Sequence, residues 1–135
     1  MKVFILIFLL AVGLQAGSIE DFAADNGYEI SYEKALAKAK AEKKPIMLVM
    51  VTHYCPWCRK YEKNTLTKKS IKALVSKKYV PLILNREKQN FPKKFDTPRI
   101  PTTFFIDAKD ERLIYSEMGF KRKSEFIEME KRASK

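Results

Sequence analysis

An α/β fold, with a central mixed sheet of about four strands flanked by helices on both faces, is what this sequence predicts, and three patterns carry it. Ile46–Val51 (IMLVMV) is apolar at every position. Six such residues, bounded by Pro45 and Thr52-His53, are too few for a buried helix and fit a central strand covered on both faces. Helical and strand patterns then alternate, which implies strand–helix–strand units with a parallel pair. Residues 102–107 and 112–118, joined by the tight turn Ala108-Lys109-Asp110-Glu111, read as a hairpin that adds antiparallel strands.

Each remaining element follows from local chemistry. Residues 18–30 read as a short leader that packs before the first helix. Residues 32–44 (YEKALAKAKAEKK) are dominated by alanine, lysine and glutamate, with Ser31 able to cap the start and Pro45 ending the run. A second helix starts at Pro56, whose missing N–H costs nothing in a first turn, and carries Tyr61, Thr65 and Leu66 at helical spacing. Lys69–Lys78 is a third helical piece, with Ile71, Leu74 and Val75 inward. Residues 79–84 (YVPLIL) read as a strand with Pro81 near its start or on a sheet edge. Residues 85–99 are a polar connection with one short helical turn around residues 92–95. Gly119 breaks the chain, and residues 124–133 close it with a helix burying Phe126, Ile127 and Met129.

The chain has 135 residues, enough for one domain with a sizeable core. Met1-Lys2 gives a positive start, residues 3–14 (VFILIFLLAVGL) are nearly all apolar, and Ala16, Gly17 and Ser18 are small. This is the layout of a cleavable signal peptide over residues 1–17, and the apolar run is shorter than the about 20 residues of a spanning helix. The expected protein is therefore periplasmic or secreted, with its one domain over residues 18–135. Net charge is +11, from 27 basic and 16 acidic residues. The lysines are spread thinly over helix surfaces without interleaved aromatics, which argues against nucleic acid and for a solvated face with some electrostatic steering.

Cys55-Pro56-Trp57-Cys58 contains the chain's two cysteines. A loop closed over two intervening residues removes little unfolded-state entropy, so the pair is poor reinforcement and well suited to repeated oxidation and reduction. Cys55 falls at a helix start, where unpaired N–H groups favour an anion and lower a thiol's pKa. It is the expected attacking sulfur. Cys58, one turn deeper, is the expected resolving sulfur. His53, Cys55 and Cys58 offer three metal ligands where structural zinc wants four, and Arg59 stands where a haem attachment site needs histidine, so no metal or haem is expected. Trp57 either forms flat apolar surface for a substrate or packs beside the motif.

The strand Ile46–Val51, the motif Cys55-Pro56-Trp57-Cys58, Ile100-Pro101-Thr102 before the next strand, and the terminal hairpin and helix together resemble the thioredoxin superfamily. The resemblance covers about residues 30–133. The run from Cys58 to Leu66 (CRKYEKNTL) and the helix before Lys44-Pro45 are similar to the C-terminal domain of the bacterial transmembrane thiol–disulfide interchange reductase. This resemblance implies a cis Ile100–Pro101 peptide facing the cysteines, with Ile100, Pro101 and Trp57 meeting an extended substrate. It also exposes a departure: where thioredoxins keep a buried aspartate, this chain has Val49. Glu62, four residues after Cys58 on the same helical face, matches a glutamate of the reductase domain. It is either the proton acceptor for Cys58 or a surface carboxylate paired with a lysine.

The implied activity is protein thiol–disulfide exchange through the Cys55–Cys58 disulfide, with no other cofactor. Related domains span roughly −270 to −120 mV, so the fold does not fix direction. Ile100 before the proline and the reductase-domain similarity favour a reductase or isomerase. The expected partners are exported proteins with disulfides or thiols and a membrane electron-donor protein, with the chain itself monomeric. The alternatives are a disulfide-forming oxidase, a binding module on the same fold, and a metal carrier using His53, Cys55 and Cys58.

Overall fold

Residues 18–135 are described by the computed structural model, and the expected signal peptide at residues 1–17 lies outside them. In chain order they form α1 (Ile19–Asn26), α2 (Tyr32–Glu42), β1 (Ile46–Val51), α3 (Pro56–Tyr61), α4 (Lys69–Lys78), β2 (Val80–Asn85), β3 (Thr102–Ile106), β4 (Leu113–Met118) and α5 (Lys123–Ala133). A π-helical turn, Glu62–Leu66, continues α3, and a single 3₁₀ turn, Lys93–Phe95, interrupts the connection after β2.

The sheet order is β2-β1-β3-β4. β1 runs parallel to β2, with Val49 opposite Ile83, and antiparallel to β3, with Val49 opposite Thr103. β4 completes the hairpin with β3. Every residue of β1 is buried, because the strand is flanked by strands on both edges and covered on both faces. Alternation along the strand divides the core in two. Met47, Val49 and Val51 meet α1, α3, α4 and α5 through Ala23, Tyr61, Val75 and Phe126, whereas Ile46, Leu48 and Met50 meet α2 and Phe95. The mixed four-stranded sheet with helices on both faces is thus the thioredoxin-like architecture that the sequence resembles.

The leader read over residues 18–30 is corrected by the structure: it contains a full helix, α1. Ser18 Oγ accepts from the Asp21 N–H at 3.3 Å, Asp21 Oδ2 accepts from the Ser18 N–H at 3.4 Å, and Gly27 ends the helix in the left-handed conformation (φ 73°). The chain then docks along the edge of β2, where Glu29 N–H donates to Pro81 O and Ile83 N–H donates to Glu29 O, both at 2.9 Å. Pro81 therefore sits on the sheet's outer strand.

Other boundaries move by a residue or two for definite reasons. α2 stops at Glu42 because Lys43 turns left-handed (φ 54°). Tyr79 belongs to the end of α4, since its N–H bonds Val75 O at 2.8 Å, and β2 starts one residue later. The N–H of Asp107 donates to Arg112 O at 2.8 Å and closes the hairpin, so β3 ends at Ile106. In α5 the buried face is Phe126, Met129, Glu130 and Ala133, with Ile127 half-buried beside it.

Candidate active site

The site is built where β1 leaves the core and turns into α3. Cys55 is the N-cap of α3, in extended conformation, and Pro56 occupies the first helical position. The N–H of Cys58 donates to Cys55 Sγ at 3.1 Å, and the N–H of Arg59 donates to Cys55 O at 3.1 Å. One free helix-start donor is thus aimed at the outer sulfur, in the place a serine or aspartate oxygen takes in an ordinary cap. The sulfurs are bonded to each other, with the Cα atoms 5.2 Å apart. Cys55 is 7% exposed and Cys58 is wholly buried, which leaves the outer sulfur as the one a partner can reach.

Cys55, Cys58 and Tyr61 share one core cluster, and a buried polar contact anchors Tyr61 there. Val49 belongs to the same cluster as Cys58 and pairs across the sheet with Thr103. The Tyr61 hydroxyl shares a hydrogen bond with Thr103 Oγ1 at 2.9 Å. Burial pushes the phenols of Tyr28 and Tyr61 well above the ordinary tyrosine range, so both remain neutral.

Glu62 is 7% exposed at the start of the π-helical turn. Its partner is Arg59, not a lysine: Arg59 Nε donates to Glu62 Oε2 at 2.7 Å. Burial raises the Glu62 pKa, and the Arg59 charge and hydrogen bond offset only part of that rise. Arg59 also reaches the Thr52 carbonyl at 3.4 Å, tying the carboxylate to the loop that carries the cysteines. Arg59 stands one turn before Glu62, a spacing at which an ion pair can form and the signal the sequence offers for it.

The Ile100–Pro101 peptide is cis. Pro101 is buried, its carbonyl accepts from the Gly119 N–H at 2.7 Å, and Ile100 packs against the cluster that includes Cys55 and Cys58. The outer rim is aromatic. Trp57 is 57% exposed, with its ring centroid 6.0 Å from that of Phe120, and Tyr54 is 91% exposed beside the exposed His53. Lys60 Nζ stands 4.8 Å from the Trp57 ring centroid and 5.3 Å from that of Phe120. Tyr54, Lys60 and Phe120 are surface features that periodicity does not single out. Among the described residues, no three His, Cys, Asp or Glu side chains gather as a metal site.

A family model for thioredoxin-like proteins matches residues 28–108, more than half of the chain. The chain belongs to the thioredoxin-like family. An uncharacterised protein of Borreliella burgdorferi is 29% identical over 92 residues, which are 68% of this chain and 40% of the relative. The chain therefore spans well under half the length of that relative. A thioredoxin from Thermus thermophilus superposes with a TM-score of 0.65 at 20% identity, covering 75% of this chain and 82% of that one. The oxidised C-terminal domain of DsbD from Neisseria meningitidis gives 0.64 at 19% identity, covering 78% and 98%. At these identities the likeness is one of fold. Within this thioredoxin-like fold, the bonded Cys55–Cys58 pair at the helix start is an arrangement suited to thiol–disulfide exchange.

Proposed function

We propose that this protein is an exported thiol–disulfide oxidoreductase of the reductase or isomerase type. The observation that supports it is the outer sulfur of Cys55 at the α3 N-cap, with the Cys58 N–H at 3.1 Å and a buried companion sulfur behind it. That donor and the helix start favour negative charge on Cys55 once the pair is reduced.

In the reducing direction, the Cys55 thiolate attacks one sulfur of a partner disulfide. The partner's other sulfur leaves as a thiolate and takes a proton from solvent. Cys58 passes its proton to the Glu62 carboxylate and attacks Cys55 Sγ, and the partner's second sulfur departs as a thiolate. Two electrons pass to the partner, and the pair ends as the Cys55–Cys58 disulfide. A dithiol of a membrane electron-donor protein then reduces it again. Trp57 and the Ile100–Pro101 segment form the surface met by the substrate, which adds as an extended strand. The pair is the only redox group required.

Reduction of insulin by a thiol reductant tests the activity: the protein accelerates precipitation of the insulin B chain, and the Cys55→Ser variant does not. Equilibration with glutathione tests the direction. A potential more reducing than roughly −200 mV supports the reductase reading, and one near −120 mV overturns it. Export is tested by fractionating cells that make the full chain and sequencing the mature N-terminus.

A further inference from the structure

A groove of about 500 Å³ opens directly beside the redox motif, between Trp57 on α3 and the head of α5. Trp57 and Phe120 give it apolar walls. Three cations line it: Lys60, Arg122 and Lys123, all exposed. Among the described residues, none of the three has a carboxylate within ion-pair distance, although nine ion pairs form elsewhere. The groove's one acid, Glu125, is already engaged, since its Oε2 accepts from the Arg122 N–H at 2.7 Å. Lys60 is held over both rings, so a positive charge sits between the apolar walls and close to the cysteines.

Apolar walls under unpaired cations fit a chain segment that combines a backbone able to lie against aromatic rings with carboxylate side chains. We propose that this groove docks an extended polypeptide segment carrying aspartate or glutamate beside the cysteine that meets Cys55, so that acidic disulfide proteins are the preferred partners. The proposal rests on the thiol–disulfide reading of Cys55 and adds the chemical class of its substrate. The charge of the whole chain, +11, acts in the same direction at long range.

Trp57 is the chain's only tryptophan, so its fluorescence reports the groove without any redox step. The oxidised full chain is titrated with two tryptophan-free peptides of equal length, each with serine in the cysteine position. One has glutamates flanking that serine and the other has lysines. The expected result at low salt is saturable quenching or enhancement with the glutamate peptide at an affinity at least about fivefold above that of the lysine peptide, as expected for several weak exposed charge pairs acting together. The preference shrinks at high salt. It is lost in Lys60→Glu and in Arg122→Glu, and it persists in Lys109→Glu, which changes net charge by the same amount at the distant hairpin turn. Equal affinities, tighter lysine binding, no saturation with either peptide, or an equal loss in Lys109→Glu overturns the proposal. Exchange with hydroxyethyl disulfide, which is small and neutral, is measured in parallel on the wild-type chain. Its absence defeats the redox reading, while the fluorescence titration still decides the groove.

Discussion

Arg59 Nε donates to Glu62 Oε2 at 2.7 Å, and the same guanidinium reaches the Thr52 carbonyl in the loop before Cys55. The contact keeps a buried carboxylate ionisable. Without it, burial alone would hold Glu62 protonated over a wider pH range; with it, the raised pKa is partly brought back. A carboxyl whose pKa is raised by burial takes a proton more readily than an exposed one, and the Arg59 contact limits that rise.

Glu62→Gln leaves the Arg59 hydrogen bond possible and removes the proposed proton acceptor. Release of the mixed disulfide by Cys58 is expected to slow roughly tenfold or more, within the range of general-base effects after partial replacement by solvent. Single-turnover mixing with a disulfide peptide measures this step. Attack by Cys55 is expected to keep its rate, and an unchanged release rate removes Glu62 from the mechanism.

The same group makes stability depend on pH. Its folded pKa lies above the reference value of 4.5, so the folded state binds the proton more tightly. Stability from this site is full below the unfolded pKa and falls as pH rises through the folded pKa. Denaturant midpoints of the oxidised wild type, compared with Glu62→Gln, are expected to decline from about pH 4.5 upward. Parallel curves for the two proteins mean that the carboxyl does not titrate in this window.

The two cysteines differ in access. After reduction, iodoacetamide is expected to modify Cys55 first, at neutral pH and faster than free cysteine, while Cys58 stays protected by complete burial. Cys58→Ser then accumulates partner-linked species on non-reducing gels, and Cys55→Ser does not. Equal labelling of both sulfurs contradicts the assigned roles.

The α1 cap is a separable contribution to the fold. Ser18→Ala removes the acceptor for the Asp21 N–H and is expected to cost about 1 kcal/mol. Gly27→Ala meets no neighbouring atom but forces a side chain into φ 73°, at about 1–2 kcal/mol. Phe105→Ala, at a fully buried position of β3 against Tyr79, is expected to cost about 3–5 kcal/mol. Chemical denaturation of the oxidised chain ranks the three.

The sheet was legible because its central strand has no polar face: Ile46–Val51 stands between Pro45 and a polar turn, and both boundaries are marked in the sequence. The start of α3 was legible for the same kind of reason, since Pro56 fixes the first helical position and places Cys55 before it. α1 was not, although Ser18 and Asp21 have capping-box spacing and Ile19, Phe22 and Ala23 share one face, because eight residues burying only Ile19 and Ala23 make a short signal. The position of Glu62 could be read from its spacing to Cys58, and the spacing of Arg59 offered an ion pair without fixing it. Arg59 could have pointed to solvent; the fold turns it back towards Thr52. The rim of Trp57, Lys60 and Phe120 joins two segments far apart in sequence, so no local pattern announces it.

The wide turn Glu62–Leu66 places Thr65 and Leu66 inward after Tyr61 and Glu62, with Thr67 N–H reaching back five residues to Glu62 O at 3.2 Å. It therefore acts as a one-residue spacer within the helical run. Closing that turn into an ordinary α-helix with every residue kept would swing everything downstream by about 100° relative to the sulfurs. Thr65 would lose its hold on the Lys121 carbonyl, and the segment leading into α5 would part from the redox face.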